Sequence, residues 1–279
     1  MHDDMRITLV PYCGLCNRLN MIENALTLRR ARPDYDMHVY WRKADDCCAW
    51  FDELFEPVPG MEVSRLESLC LIPKGRRLLW IPELLRKFKY DATLKCRKIA
   101  KYDILLHPDP KWKSVYVYGY NAMCTLRDYS MLSRLFIPVP DIAERICKIT
   151  ETFGKHVVGV HIRRTDHAKA ISHSPLEGYV RRMQQIQAVH DDVQFFVATD
   201  DETVKASLRN TFGRRVITLP SVLERGSLQG MKDAVVELYC LGSCSRLIGS
   251  DYSTYSRFAA ALYDIPSEDI ETGLPFTNK

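Results

Sequence analysis

The sequence lacks any run approaching the ~18–20 uninterrupted apolar residues that a membrane-spanning helix needs, so no span is expected. Its opening, MHDDMRITLV, lacks the basic-then-apolar layout of a secretory signal and runs straight into a strand-like segment. The expectation is a cytoplasmic protein. Internal repeats and low-complexity tracts are missing as well, which leaves ordinary globular organisation. No Gly-x-x-x-x-Gly-Lys loop occurs, which removes the signature of P-loop kinases. The ten cysteines do not form a disulfide framework in this reading. They are scattered over 279 residues, Cys47 and Cys48 are adjacent, and free thiols in a reducing compartment fit better.

Several cysteine and carboxylate pairs have the spelling of a site without its context. Cys13-Gly14-Leu15-Cys16 follows a strand and opens a helix, as a redox dithiol would, but no thioredoxin-like continuation follows within ~100 residues. Zinc held by Cys13, Cys16, Cys47 and Cys48 would lack a second Cys-x-x-Cys. Cys240 and Cys244 read as small buried hydrophobes. Asp34-Tyr35-Asp36 spells a metal-binding carboxylate pair, yet it precedes a strand instead of following one.

What is present begins with enough apolar material for a core: 46% of residues are hydrophobic and 27% charged, which argues against disorder. At this length the chain holds one large or two medium domains. The net charge of +4 conceals an asymmetry. Residues 1–140 carry 22 Lys/Arg and 17 Asp/Glu, giving +5, and residues 141–279 carry 17 and 18, giving −1. Residues 74–101 hold ten basic and two acidic residues, interleaved with Leu78-Leu79-Trp80-Ile81-Pro82 and Leu84-Leu85. Such a segment either covers the core as a solvated helix face or makes peripheral contact with an anionic membrane at its inner face.

The second half alternates strand-like and helix-like segments. Strands are expected at 156–162, 193–198, 216–219 and 246–249, and helices at 176–190, 201–212, 231–241 and 254–263. Buried apolar runs alternating with helices imply a parallel sheet covered on both faces. In the first half, residues 6–11 read as a strand, and Leu15, Leu19, Ile22 and Leu26 mark one helix face. Strands follow at 37–41 and 114–118, with a blurred signal between them. Phe136-Ile137-Pro138-Val139-Pro140 is the best hinge. The fold class expected is α/β, two Rossmann-like domains facing a cleft, with 1–138 binding the acceptor and 139–279 a nucleotide ligand. In such sheets ligands sit beyond the carboxyl ends of the strands.

The sharpest chemical feature is Val158-Gly159-Val160-His161-Ile162-Arg163-Arg164-Thr165-Asp166, a buried-type strand that ends in charge. Strand alternation would put His161 and Arg163 on one side and Arg164 on the other. A guanidinium presents a planar fork suited to phosphate oxygens. The plainer reading pairs Arg164 with Asp166 at the surface. Phe195-Phe196-Val197-Ala198-Thr199-Asp200-Asp201 breaks from strand into two carboxylates, either of which caps the next helix or bonds a nucleotide. Leu247-Ile248-Gly249-Ser250-Asp251-Tyr252-Ser253-Thr254 turns into a helix through small hydroxyl residues. That turn is either a plain cap at Ser253 or an anion site.

Taken together, 161–166, the Ala-Thr-Asp-Asp at 198–201 and Ile248-Gly249-Ser250 with Ser253 resemble three motifs of one fucosyltransferase superfamily. It includes the core α1,6-, rhizobial nodulation, α1,2- and protein O-fucosyltransferases. Gly14-Leu15-Cys16-Asn17-Arg18-Leu19 is similar to its first loop. The resemblance covers most of 156–262 plus 5–30. It implies a two-domain GT-B glycosyltransferase, metal-independent and inverting, that moves fucose from GDP-fucose to a glycan or lipid-linked glycan acceptor. By position, Arg163 would hold the donor β-phosphate, with Arg164 and Asp166 assisting in catalysis. His161 and Asp233 would face guanine, Asp200 or Asp201 the nucleotide, and Ser250, Ser253 and Thr254 the phosphates. Asn17 and Arg18 would face the cleft. Neither a metal nor a nucleic acid is among the expected partners. The segment after the arginines, His167-Ala168-Lys169-Ala170-Ile171-Ser172, lacks the carboxylate that members of that superfamily can carry there, so the catalytic base is unassigned. The rival readings are a non-catalytic nucleotide- or glycan-binding protein of the same fold and a transferase using another nucleotide sugar.

Overall fold

The computed structural model describes residues 5–65, 83–164, 173–220, 226–250 and 252–276. The chain divides into two compact units, Met1–Ile137 and Pro138–Lys279. The division falls inside the proline-rich stretch. Each unit is built on a five-stranded, wholly parallel sheet, so the α/β class expected from the alternating segments is the one adopted.

In the first unit the strands are β1 (Met5–Pro11), β2 (Tyr35–Trp41), β3 (Glu62–Arg65), β4 (Ala92–Lys95) and β5 (Ser114–Gly119), ordered β3-β2-β1-β5-β4. Helix α1 (Leu15–Ala31) follows β1, and α2 (Glu83–Lys89), α3 (Cys96–Tyr102) and α4 (Leu132–Leu135) are short. Ile7 pairs with Met37 and Val115, and Leu9 with Val39 and Val117. Because side chains alternate, these apolar residues share one face and are buried. The opposite face is tyrosine-rich, with Val10, Tyr90 and Tyr116 buried together and Tyr40 and Tyr118 packed against them.

Helix α1 departs from a simple apolar stripe. Leu15, Leu19, Ile22 and Leu26 are buried as expected, but so are Arg18, Asn20, Glu23 and Asn24. For Glu23 and Asn24 the loop after β5 supplies the partners. The Asn24 amide accepts from Met123 N (2.5 Å) and Cys124 N (3.0 Å) and donates to Leu126 O (2.5 Å). Glu23 accepts from Asp128 N (2.9 Å) and pairs with Arg127 (3.0 Å). A buried polar group costs free energy unless it is bonded, so this helix is locked to one loop arrangement.

The second unit runs α5 (Pro140–Thr150), β6 (Val157–Ile162), α6 (Leu176–Val189), β7 (Gln194–Thr199), α7 (Glu202–Phe212), β8 (Val216–Ile217), α8 (Leu228–Gly242), β9 (Arg246–Gly249), α9 (Thr254–Leu262) and β10 (Ser267–Asp269). Pro140 opens α5 where its missing N–H costs nothing. The sheet order is β10-β9-β6-β7-β8. Counted within the unit and read from β8, that is the doubly wound order 3-2-1-4-5. Val158, Val160, Ile162, Phe195 and Val197 pack with Tyr179, Met183 and Ile186 of α6 and Val204, Leu208 and Phe212 of α7. Behind the sheet, Gly159 lets Leu241, Cys244 and Leu247 come within 3.3 Å of where a Cβ would stand. Among the described residues no helix is long and apolar enough to cross a membrane.

Candidate functional site

In the second unit the chain leaves β6 toward β7 and β8, then returns to the other side of β6 to form β9 and β10. The direction of winding therefore switches between β6 and β9, and the crevice beyond their carboxyl ends is where such sheets bind ligands. The residues that emerge there are Arg163 and Arg164 from β6 and Ser250 from β9.

His161, 9% exposed, is the last side chain but one of β6. Its Nδ1 lies 2.7 Å from Ser256 Oγ, and its ring tilts against Tyr255 at 4.8 Å. Both arginines are half-buried. The backbone N–H of Arg164 donates to Asp200 Oδ1 (2.6 Å), which ties the end of β6 to the end of β7. Nη2 of Arg164 is buried and has no hydrogen-bond partner among the described residues. A buried guanidinium N–H without an acceptor is costly; an anion beside it would remove that cost. Asp166, assigned with the arginines in the sequence, lies outside the described residues.

The two carboxylates after β7 divide the readings between them. Asp201 is the N-cap of α7, accepting from Thr203 N (2.8 Å), Val204 N (3.4 Å) and the Thr203 hydroxyl (2.6 Å). The Thr203 hydroxyl foremost holds its carboxyl below the usual range. Asp200 instead braces the arginine loop.

After β9, Ser250 is buried, its hydroxyl accepting from Tyr252 N (3.3 Å) and its carbonyl from Ser253 N (2.9 Å). Ser253 caps α9 through a 3.4 Å bond from Ser256 N, and Thr254 is half-buried in the first turn. The helix start carries partial positive charge. Gly249 is required by close approach, since a Cβ there would stand 2.6 Å from Ser256 Oγ.

Two residues assigned by resemblance are occupied inside their own units. Asp233, on α8, is 3% exposed and accepts from Arg145 Nη2 (2.6 Å) and Gln229 Nε2 (2.7 Å). Arg18 is wholly buried rather than presented to a ligand. It donates from Nε to Cys13 O (2.6 Å) and from Nη1 to Arg42 O (2.5 Å), pairs through Nη2 with Asp46 (2.9 Å), and lies 5.1 Å from the Trp41 ring. It clamps the β1–α1 loop, where Cys13 adopts φ +69°. Asn17 is half-buried, and its carbonyl accepts from Asn121 N (3.0 Å).

Among the described residues neither Cys13 nor Cys16 forms a disulfide, and no cluster of three metal-ligating side chains occurs. Of the basic segment, residues 74–82 lie outside the described residues. Arg86 is buried, its guanidinium 5.5 Å from the ring of Tyr116 and 5.9 Å from that of Tyr118, which withdraws it from any membrane role. Lys87 and Lys89 are exposed beside exposed Leu85 and Phe88. Sequence reasoning passed over His173, Tyr252 and Glu271, which meet at the carboxyl end of the second sheet. No local pattern joins residues 98 positions apart.

Neither a protein-family model nor a curated protein sequence matches the chain. Solved structures do. The fucosyltransferase NodZ from Bradyrhizobium superposes with a TM-score of 0.65 at 17% identity, covering 95% of this chain and 96% of that one. NodZ alpha-1,6-fucosyltransferase soaked with GDP-fucose gives 0.64 at 18%, covering 98% and 97%. A mutant of Arabidopsis thaliana FUT1 in complex with GDP gives 0.60 at 14%, covering 94% and 69%. The chain has the fold of these fucosyltransferase structures.

Proposed function

We propose that this protein is a metal-independent, inverting glycosyltransferase that transfers fucose from GDP-fucose to a hydroxyl of a glycan or lipid-linked glycan, acting in the cytoplasm. The second unit takes the donor and the first the acceptor. The observation that carries the reading is the arginine pair at the β6–β9 switch point, with one buried guanidinium N–H lacking an acceptor among the described residues. The fold supports it, since structures of the same fold were solved with GDP and GDP-fucose.

Displacing GDP from the anomeric carbon passes through an oxocarbenium-like state while negative charge builds on the β-phosphate. Arg163 and Arg164 meet that charge, and the capped start of α9 with Ser250, Ser253 and Thr254 adds N–H and O–H donors. His161, fixed by Ser256 and Tyr255, forms the floor beneath the nucleotide. Asp200 keeps the arginine loop at the strand end. The guanidinium pair supplies the cation that a metal supplies elsewhere.

Titration calorimetry with GDP, GDP-fucose, GDP-mannose and UDP-sugars tests the donor, and GDP-fucose is expected to bind most tightly. Arg163→Ala should lower kcat by roughly 10²–10³-fold while circular dichroism stays unchanged, and turnover should persist in EDTA. Wild-type activity in Arg163→Ala, or preference for UDP-sugars, would sink the assignment.

A further inference from the structure

The reaction just assigned needs a group to take the proton of the incoming hydroxyl, and the arginine motif supplies none. A candidate stands at the same end of the same sheet. His173 Nδ1 lies 2.8 Å from Glu271 Oε1, and its ring stacks on Tyr252 with centroids 4.8 Å apart and 26° between planes. A carboxylate only accepts hydrogen bonds, so Nδ1 is the donor, and in the neutral imidazole this leaves the lone pair on Nε2. Nε2 has no hydrogen-bond partner among the described residues, and the side chain is 41% exposed.

Both supports of this ring are anchored in the sheet. Glu271 follows β10, where buried Asp269 accepts from the backbone N–H groups of Glu271 (3.1 Å) and Thr272 (2.9 Å). Tyr252 follows β9 and donates its N–H to Ser250 Oγ (3.3 Å), within the turn that the proposed function gives to the phosphates. The order β10-β9-β6 puts β10 two strands from the arginines, or ~10 Å at about 4.8 Å per strand. Inverting displacement places its base and its leaving-group partner on opposite sides of the anomeric carbon. In inverting hydrolases the two groups stand ~6.5–9.5 Å apart for that reason. The spacing here is of the same order.

We propose, resting on the function assigned above, that His173 is the general base of the transfer and that Glu271 is its positioning residue. Nε2 takes the hydroxyl proton as the acceptor oxygen forms its bond to the anomeric carbon. The bond from that carbon to the β-phosphate oxygen breaks with its electron pair leaving on GDP, and the imidazolium, facing Glu271, later releases its proton to solvent. Tyr252 holds the plane of the ring.

The test measures GDP release from GDP-fucose with water alone and with glucose, galactose or N-acetylglucosamine as nucleophile. His173→Ala should bind GDP-fucose with unchanged affinity by calorimetry and turn over about 10²–10⁴-fold more slowly, with part of the rate restored by added imidazole. Glu271→Gln should lower kcat at unchanged KM, and Glu271→Asp should recover most of it. A second measurement does not depend on the acceptor: diethyl pyrocarbonate modification of His173, followed in the tryptic peptide 170–181, should slow with GDP-fucose and not with GDP, because the sugar is what shields Nε2. Turnover of His173→Ala within about threefold of wild type, far outside the range for a general base, would overturn the proposal. So would modification indifferent to GDP-fucose. A wild-type protein that does not bind GDP-fucose would instead overturn the function on which it rests.

Discussion

Gly249→Ala probes how tightly the start of α9 is set against the sheet. A Cβ at this position would lie 2.6 Å from Ser256 Oγ, 3.0 Å from Ser256 Cβ and 3.2 Å from Phe276 Cζ. Unstrained carbon contacts run ~3.5–4.0 Å. Ser256 is fully buried and bonded to His161, so it cannot swing into solvent. Overpacking of this kind costs ~1–3 kcal/mol, and loss of the His161–Ser256 hydrogen bond adds ~1 kcal/mol. A total of about 2–4 kcal/mol is expected. Ser256→Ala alone loses the hydrogen bond and costs ~1–2 kcal/mol. In the double variant the worst overlap disappears with Oγ, so the two costs should fall short of their sum by ~1 kcal/mol. Urea unfolding followed by far-ultraviolet circular dichroism reads this as midpoint shifts at constant slope. Additive costs, or a Gly249→Ala penalty below ~0.5 kcal/mol, would show that helix and strand are not in the contact described.

Two further outcomes follow from the electrostatics. Asp52, Asp91, Asp128, Asp141 and Asp201 all titrate below the ordinary value of 3.8, held down chiefly by Arg65, the Lys113 N–H, Ser130, Lys232 and Thr203 respectively. The unfolded chain therefore takes up protons first, and stability present above about pH 4 should decline as the pH falls further; a melting temperature that is flat from pH 5 to pH 3 would contradict this. Burial pushes the Cys96 and Cys240 thiols up to about 12, so an alkylating reagent at neutral pH should reach exposed Cys147 first and leave both untouched until unfolding, as peptide mass spectrometry would show.

The legible parts of this chain were those whose cause is local. Buried β-branched runs gave away β6 and β9 almost to the residue, and the Asp201 cap marks the start of α7 because an Asp before a helical pattern has few other uses. The arginines stood out because charge at the end of a buried strand has no packing role. What stayed hidden depends on partners far along the chain. Arg18 read as an available cation, yet its acceptors are Cys13, Arg42 and Asp46. Asp233 read as a ligand carboxylate, yet Arg145 lies 88 residues upstream and occupies it. Helix α1 shows only its apolar face in the sequence, because Glu23 and Asn24 are satisfied by a loop about a hundred residues away. The strands between β2 and β5 blurred because they are only four residues long and half-exposed.

The two switch points differ in what they leave available, and that difference bears on the proposal that the second unit takes the donor. In the first unit the direction reverses between β1 and β5. The groups emerging there are Tyr12, Tyr118 and Tyr120, clustered with centroids 5.5 and 6.5 Å from Tyr12 and all half-buried. One nearby cation, Arg18, is spent on two carbonyls and a carboxylate. Burial, foremost, pushes the Tyr12 phenol up to about 12, so it stays neutral. A neutral aromatic surface offers flat apolar area with hydroxyls at its rim, suited to sugar rings and poor for a diphosphate. The second unit has the reverse at its switch point: two half-buried arginines and a capped helix start. A diphosphate brings two negative charges whose removal from water is costly unless donors replace it. Among the described residues the β6–β9 end brings two arginines and a capped helix start to that task. Binding of GDP should therefore respond to Arg163→Ala and be indifferent to Tyr120→Ala, whereas transfer to a sugar hydroxyl should respond to both; loss of GDP affinity in Tyr120→Ala would reverse the division of labour.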